Sequence, residues 1–244
     1  MTNTIEGRNP VLEALHSNRP IGKILLAKNS ERHGVIAEII HLAQSSAIPI
    51  EYVERPAIDR LSQTSANQGV LAITIVKEYA ELEELLAITR SKNEPALYVV
   101  LDGIEDPHNL GAILRTADAS GVHGVIIRER RAVGLTPVVE KASAGAIEYV
   151  PVVSVANISR TLETLKKNNV WVVGIDQSAE ANYTEIDYKP ATAIVIGGEG
   201  KGLSDLVKKN CDFLASIPMK GKIASLNASV AAAVALYEVV RQRI

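Results

Sequence analysis

The sequence is poor in the residues that build disulfide frameworks, metal clusters and membrane segments. Its 244 residues include one cysteine, Cys211, so the chain cannot form an internal disulfide, and a thiolate zinc cluster is excluded as well. The first residues lack a basic stretch followed by an apolar run, and the longest uncharged stretch near the C-terminus, 223–237, is too short to span a bilayer. We therefore expect a cytoplasmic protein with no metal site and no membrane partner.

The sequence also lacks an excess of charge of either sign. It has 26 basic and 28 acidic residues and a net charge of −2, which excludes a histone-like or polybasic binder but leaves room for a local basic site. Aromatic residues make up only 4%, so base stacking is not expected to be the main mode of recognition. Hydrophobic residues reach 47%, which is enough for a sizeable core.

The first 76 residues alternate between helical and strand patterns. Asn9 followed by Pro10 is typical of a helix N-cap with proline at the first helical position. Strands are predicted over three stretches, which are 21–27, 48–53 and 69–76. We interpret residues 1–76 as a small α/β domain and the charged segment 77–94 as a linker that can form a helix, with a domain boundary near Pro95.

From Pro95 onward the pattern consists of longer apolar runs. Five of them are nearly continuous, as expected for strands buried on both faces of a parallel sheet: ALYVVLDG, GVIIRE, VWVVGID, TAIVIGGE and DFLASIPM. Helical patterns separate these runs, and a last one closes the chain. The alternation predicts an α/β domain over 95–244 with a mostly parallel sheet, and such sheets bind ligands at the carboxyl ends of their strands.

Three of the predicted strands end in unusual sequences, and the first is DGIEDPHNLGAILRTADASG, residues 102–121. Asn109 is well placed to cap a helix that ends near Gly121. Arg115 lies inside this helix among small and apolar residues, where it could simply be an exposed arginine on a solvated face. Several other polar residues crowd the same strand, loop and helix, so the alternative that they form a functional site has equal weight.

The second unusual strand end is IGGEGKGLS, residues 196–204. Its four closely spaced glycines allow the backbone to approach a ligand. The loop is not a P-loop, because Lys201 is followed by Gly202 instead of Ser or Thr, and it lies too late in the chain for a dinucleotide fingerprint. Glu199 has little to pack against among glycines, so it is either free to orient a substrate or part of a solvated turn.

The third is IPMKGKIASLNASVAAAV, which begins at Ile217. Ser225 can cap the final helix, and Asn227 and Ser229 would lie in its first turn. The combination of apolar and polar groups in this loop suits a ligand with an adenine-like face.

Together, DPHNLGAILRTADASGVHGVII, IVIGGEGKGLS and IPMKGKIASLNASVAAAVALYE resemble the three ordered motifs of the SpoU (TrmH-type) branch of the SPOUT superfamily. The resemblance implies an S-adenosyl-L-methionine-dependent RNA ribose 2′-O-methyltransferase, with a trefoil knot in its C-terminal part. EGRNPVLEAL and NQGVLAI further resemble the small L30e-like RNA-binding domain of a subgroup that acts on large-subunit ribosomal RNA. The implied substrate is a ribose of 23S rRNA, as in the guanosine-modifying members, and tRNA is the rival.

The resemblance assigns roles only at matching positions of this sequence. The implied catalytic residues are Asn109, Arg115, Glu199, Ser225 and Asn227, with Ser229 in the same third motif. The implied cofactor-binding residues, which act largely through their backbone, are Gly197, Ile217, Met219 and Leu226. Gly198 departs from the Ala or Asn that the family often has there, so the resemblance implies no side-chain role at this position. Arg115 is expected to be essential. Because a guanidinium is a poor general base, its expected role is to hold the ribose or a phosphate by hydrogen bonds.

The expected partners are RNA and a second copy of the chain, and no DNA is expected. Basic residues follow three of the predicted strands and would form a phosphate-binding rim; they are the RERR run at 128–131 and Lys201, Lys220 and Lys222. The final helix is apolar over most of its circumference, and SPOUT enzymes are typically dimers, so we expect a homodimer through the C-terminal domain. Two other functions stay open, a non-catalytic RNA-binding or ribosome-assembly protein and, with less support, a nicotinamide oxidoreductase.

Overall fold

The chain folds into two compact units in a computed structural model that describes residues 3–17, 19, 21–28, 33–62, 67–74, 78–92, 94–200 and 202–244. The first unit comprises Met1–Glu78 with Leu135–Pro137, and the second comprises Tyr79–Gly134 with Val138–Ile244. Among the helices described in these ranges, none has both the length and the apolar character needed to cross a membrane.

The first unit is a small mixed α/β fold. Its elements are β1 (Asn3–Glu6), α1 (Arg8–His16), β2 (Ile21–Ala27), α2 (Val35–Ser45), β3 (Ile50–Val53), α3 (Arg55–Leu61) and β4 (Val70–Thr74). The four strands described there have the order β1-β4-β2-β3; β3 is parallel to β2, and the other pairs are antiparallel. On α2, Ile36, Ile39 and Ala43 recur on one helical face and are buried, as their spacing predicts. The ends of the predicted strand 69–76 at residues 75 and 76 lie outside the described residues.

The start of α1 differs from the prediction. The helix begins at Arg8, so Asn9 lies within its first turn and Gly7 is the N-cap. Gly7 has a φ of 98°, a backbone conformation that glycine adopts readily, and its N–H donates to the carbonyl of Val70 at 3.0 Å. The prediction that Asn9 caps this helix was therefore wrong. β1 pairs with β4 as far as Gly7, and the chain turns into the helix at that residue.

The second unit is a parallel α/β fold, as the apolar runs predict. Its elements are α4 (Leu82–Ser91), β5 (Leu97–Asp102), α5 (Pro107–Ala119), β6 (Gly124–Arg128), α6 (Pro137–Ala142), β7 (Val152–Val155), α7 (Ile158–Lys167), β8 (Trp171–Ile175), β9 (Thr192–Gly197), α8 (Asp205–Asn210), β10 (Phe213–Ala215) and α9 (Ala228–Arg243). In the described chain, six parallel strands form one sheet with the order β10-β8-β9-β5-β6-β7. The five predicted runs are β5, β6, β8, β9 and β10, whereas β7 was not predicted because its four residues make no long apolar run.

The segment 77–94 contains α4, which begins with a capping box between Glu81 and Glu84. Its Leu85 is fully buried in the core of the second unit, and the Leu85 methyl groups lie where a Cβ at Gly124 would stand. The helix that we interpreted as a linker thus contributes to the packing of the sheet.

Strand order decides where the ligand site can form. β5 and β9 lie side by side at the centre of the sheet, and all six residues of β5 are buried. β8 pairs with β9 and β10 pairs with β8, all in parallel. The loops that follow these four strands therefore leave the same edge of the sheet.

Candidate active site

Side chains from the three unusual loops meet in one hydrogen-bonded cluster at this edge. The side-chain amide of Asn109 in α5 donates to Oε1 of Glu199, which follows β9. The Asn227 amide donates to Asn109 Oδ1 at 2.9 Å and to Glu199 Oε1 at 3.3 Å. Asn109 is only 5% exposed, whereas Glu199 and Asn227 are open to solvent. The cluster thus presents a carboxylate to the solvent from a buried amide support.

Asn109 is free to make these contacts because another residue caps α5. The N-cap is Asp106, whose side chain accepts from the backbone N–H of His108 at 2.9 Å, and Pro107 occupies the first helical position. The prediction that Asn109 caps the helix was wrong. The carboxylate three residues earlier satisfies the helix end, so the Asn109 amide can pair across the sheet edge.

The cap of α9 also differs from the prediction. Asn227, not Ser225, is the N-cap, and its Oδ1 accepts from Ser229 N at 2.9 Å and from Ser229 Oγ at 2.6 Å. Asn227 therefore uses its oxygen to start the helix and its amide nitrogen to hold Asn109 and Glu199. Ser225 is exposed in the loop before the helix.

The glycine-rich loop packs too closely for side chains at its first two positions. A Cβ at Gly197 would lie 2.1 Å from the carbonyl carbon of Gly202, and one at Gly198 would lie 2.4 Å from the carbonyl oxygen of Gly103. Both distances are shorter than real contacts allow, and the obstructing atoms belong to the backbone. A side chain at position 198 would therefore require this loop to shift.

Beside the cluster lies a cleft of about 470 Å³, which is within the size range of small-molecule sites. Its walls come from the loops after β8, β9 and β10 and from the start of α9. Every residue predicted to bind the cofactor lines it, together with two of the predicted catalytic residues: Gly197, Ile217, Met219 and Leu226, and Glu199 and Ser225. The wall thus combines exposed glycine backbone with aliphatic side chains, an arrangement that suits a flat, polar-edged ligand.

The lining of the cleft also includes an ion pair, between Asp176 and Lys208, that was not predicted from the sequence. Asp176 Oδ2 accepts from Lys208 Nζ at 2.8 Å, and Oδ1 accepts from Ser178 N at 3.0 Å and Ser178 Oγ at 2.5 Å. Burial by itself would raise the Asp176 pKa, but the hydrogen bonds from Lys208 and Ser178 outweigh it and leave the pKa below its usual value. The available signal was position alone, because Asp176 is the last residue of the predicted strand VWVVGID.

Arg115 lies apart from the cluster and the cleft. It follows Asn109 by six residues, which at 3.6 residues per turn places it about 120° around α5 from Asn109. The side chain is exposed, does not line the cleft, and makes no hydrogen bond or ion pair with another described residue. The structure therefore brings Asn109, Glu199 and Asn227 together within one chain, but not Arg115.

The basic residues expected at the rim have different environments. Arg128 turns inward, and its Nη2 donates to Asp102 Oδ1 at 2.7 Å. Arg130 and Arg131 are exposed, as are Lys220 and Lys222 in the loop before α9, while Lys201 lies outside the described residues. No group of acidic, cysteine or histidine side chains suited to a metal ion occurs within the described ranges.

Comparison with known proteins gives both units a family. Residues 96–237 match the SpoU rRNA Methylase family, and residues 4–80 match the RNA 2′-O ribose methyltransferase substrate binding family. Over 237 residues the chain is 49% identical to the "Putative TrmH family tRNA/rRNA methyltransferase YacO" of Bacillus subtilis (strain 168), covering 97% of this chain and 94% of the relative.

Solved structures resemble the fold to different extents. The SpoU methyltransferase AviRb from Streptomyces viridochromogenes in complex with AdoMet aligns with a TM-score of 0.85 and 27% identity, over 98% of this chain and 89% of its own. An AdoMet-bound rRNA methyltransferase from Sinorhizobium meliloti aligns with a TM-score of 0.80 and 25% identity, over 100% and 88% of the two chains. The A. aeolicus TrmH/SpoU tRNA modifying enzyme has 32% identity but a TM-score of 0.56, over 66% of this chain and 84% of its own.

Proposed function

This chain belongs to the SpoU family of RNA methylases, and from that premise we propose that it transfers the methyl group of S-adenosyl-L-methionine to a ribose 2′-hydroxyl of 23S ribosomal RNA. One observation carries the proposal. Asn109, Glu199 and Asn227, which come from three separate motifs, meet in one hydrogen-bonded cluster beside the cleft. An RNA substrate also supports the expectation that the protein acts in the cytoplasm.

The cleft fits the cofactor by size and chemistry. Gly197, Gly198 and Gly200 expose backbone on one wall, and Ile217 and Leu226 supply aliphatic contacts for an adenine ring. When bound, S-adenosylmethionine supplies the electrophilic methyl group of a sulfonium. Asp176 and Lys208, which also line the cleft, offer charged partners for polar parts of the same ligand.

The residues of the chain align the acceptor hydroxyl. Displacement at a methyl carbon requires the ribose oxygen to lie in line with the bond that breaks, so positioning is the main task of the protein. Arg115 has an exposed guanidinium that can grip a phosphate or ribose by two parallel hydrogen bonds and stabilise the developing alkoxide. Glu199, held by Asn109 and Asn227, orients the nucleotide at the mouth of the cleft.

A homodimer through the second unit would complete the site. Arg115 is exposed on α5, which packs against α9. The outer face of α9 includes Val230 and Tyr237, which are 46% and 54% exposed, with the half-buried Val234 between them. This apolar stripe supports a contact between two copies, in which Arg115 of one copy reaches RNA bound at the cleft of the other.

Ribosomal RNA is favoured over tRNA by the extent of the structural matches. The rRNA methyltransferase from Sinorhizobium meliloti aligns with the whole chain, whereas the A. aeolicus tRNA modifying enzyme aligns with about two thirds of it. We therefore propose that residues 1–76 select the RNA and that 95–244 carry the chemistry, while the segment 77–94 contributes α4 to the core of the second unit. Guanosine is the proposed nucleotide, on the resemblance to guanosine-modifying relatives. The cluster of three motif side chains disfavours a non-catalytic assembly factor.

The deciding experiment is methyl transfer in vitro. The full chain is incubated with S-adenosylmethionine labelled in the methyl group and with 23S rRNA, 16S rRNA or tRNA from cells that lack the protein. Label in 23S rRNA at one alkali-resistant ribose supports the proposal. Label only in tRNA would make tRNA the substrate, and no label in any fraction, with cofactor binding intact, would favour the assembly factor.

A further inference from the structure

Both ends of the glycine-rich loop 198–204 are held by one residue. The backbone carbonyl of Asp102, the last residue of β5, accepts from Gly198 N at 3.0 Å. The Asp102 side-chain Oδ2 accepts from Ser204 N at 2.9 Å and from Ser204 Oγ at 2.7 Å. Asp102 is 5% exposed, so water competes little for these bonds. The loop thus begins and ends on the same buried aspartate.

The environment of Asp102 matches a carboxylate and not an amide. Its other oxygen, Oδ1, accepts from Arg128 Nη2 at 2.7 Å, so three donors from two residues converge on the carboxylate. A carboxylate has only acceptors and can satisfy all three. An asparagine of the same shape would turn an NH₂ group toward either Arg128 or Ser204, so donors that face this buried side chain would lose their acceptor.

Ser204 is oriented toward the loop and not toward the helix that it begins. It is the N-cap of α8 but makes no side-chain capping hydrogen bond. A serine in this position usually accepts from a backbone N–H of the first helical turn. Here its hydroxyl donates to Asp102 instead, which adds a second bond at the end of the loop.

The loop held in this way forms part of the candidate active site. Glu199 belongs to the hydrogen-bonded cluster, and the backbone of Gly198, Gly200 and Gly202 lines the cleft. Asp102 does not line the cleft, so any effect on a bound ligand passes through the loop. A loop rich in glycine has many alternative conformations, and holding both ends removes most of them before a ligand binds.

We propose that Asp102 is a positioning residue that sets the glycine-rich loop for S-adenosylmethionine through Ser204, with Arg128 holding its second oxygen. The proposal rests on the proposed function for the identity of the ligand. The loop geometry itself does not depend on that identity.

The test compares binding of S-adenosylmethionine to four variants of the full chain by isothermal titration calorimetry. Asp102→Asn should weaken binding about tenfold, which corresponds to about 1.4 kcal/mol. Ser204→Ala should weaken it less, about threefold, because the Ser204 backbone bond remains. Ser204→Thr keeps the hydroxyl and should bind as the parent does. Asp205→Asn changes an exposed carboxylate one residue further on and should have no effect.

Melting curves and a second readout separate the outcomes. A folded Asp102→Asn protein with unchanged affinity would overturn the proposal. If Asp102→Asn does not fold, the two Ser204 variants decide. A loss of affinity for S-adenosylmethionine in Ser204→Ala that is restored in Ser204→Thr supports the proposal, and equal affinities in the two variants overturn it. If the parent chain binds no S-adenosylmethionine, the proposed function fails, and amide hydrogen exchange at Gly198 and Ser204 still tests the loop. Exchange that is faster in Ser204→Ala than in Asp205→Asn supports positioning by Asp102, and equal exchange contradicts it.

Discussion

Replacing Asn109 by alanine tests the hydrogen-bonded cluster most directly, because this one amide joins two motifs. Asn109 donates to the Glu199 carboxylate and accepts from Asn227. A hydrogen bond to a charged group contributes about 1.5–3 kcal/mol and a neutral one about 1 kcal/mol. Glu199 and Asn227 are exposed, so water replaces part of what is lost, and we expect a net destabilisation of about 2 kcal/mol.

Thermal melting and methyl transfer together measure this effect. In a unit of this size, about 2 kcal/mol lowers the melting temperature by about 4–8 °C. Transfer at saturating cofactor should fall at least tenfold, because Glu199 loses the buried amide that orients it. Asp118→Ala, an exposed change on the same helix, is the control for both measurements. Normal melting and normal transfer in Asn109→Ala would show that the cluster neither supports the fold nor orients the substrate.

Four further predictions concern other parts of the chain. Arg115→Ala and Arg115→Lys should both lose methyl transfer, because a lysine cannot make the two parallel hydrogen bonds of a guanidinium. Their melting temperatures should stay unchanged, because the side chain is exposed. Near-normal turnover by the lysine variant would show that Arg115 has no part in the chemistry. Deleting residues 1–76 should lower turnover on RNA but leave the affinity for S-adenosylmethionine nearly unchanged in calorimetry, because the cleft is lined by the second unit. If cofactor binding were lost as strongly as turnover, the division of RNA selection from cofactor binding would be contradicted. Val234→Glu should yield inactive monomers. The dimer would be refuted if light scattering gave a mass of 26.2 kDa for the parent protein and this monomer methylated RNA at full rate. The fold lowers the pKa of Asp176 below its usual value of 3.8, so the ion pair with Lys208 stabilises the protein above pH 3.8, and this stabilisation is lost as the pH falls through the lower pKa of the folded protein. Lys208→Met should therefore make the melting temperature depend less on pH in the acid range.

The local patterns of the sequence predicted most of the second unit. Continuous apolar runs predicted β5, β6, β8, β9 and β10 because a strand covered on both faces must be apolar at every position. β7 was missed for the same reason, since VVSV is short and ends in half-buried residues. A parallel sheet then placed the loops after its strands at one edge without any further information.

Helix caps were predicted less well, because several polar residues near a helix start compete for one role. Asp106 and Asn109 can both cap α5, and Ser225 and Asn227 can both cap α9. Position in the sequence cannot rank such candidates. Tertiary partners do so, since Asn109 gains more from the Glu199 carboxylate than from a helix end that Asp106 already satisfies.

The sequence by itself determined the fold class, the three loops and those cleft residues that belong to the second and third motifs, because these depend on apolar periodicity and on motif order along the chain. Only the tertiary structure decided which side chains face each other. Asp102, Arg128 and Ser204 belong to three separate stretches of the sequence that no spacing links, yet they converge where β5, β6 and the loop after β9 end. The pairing of Asp176 with Lys208 arises in the same way, because both follow from strand order and not from the spacing of residues along the chain.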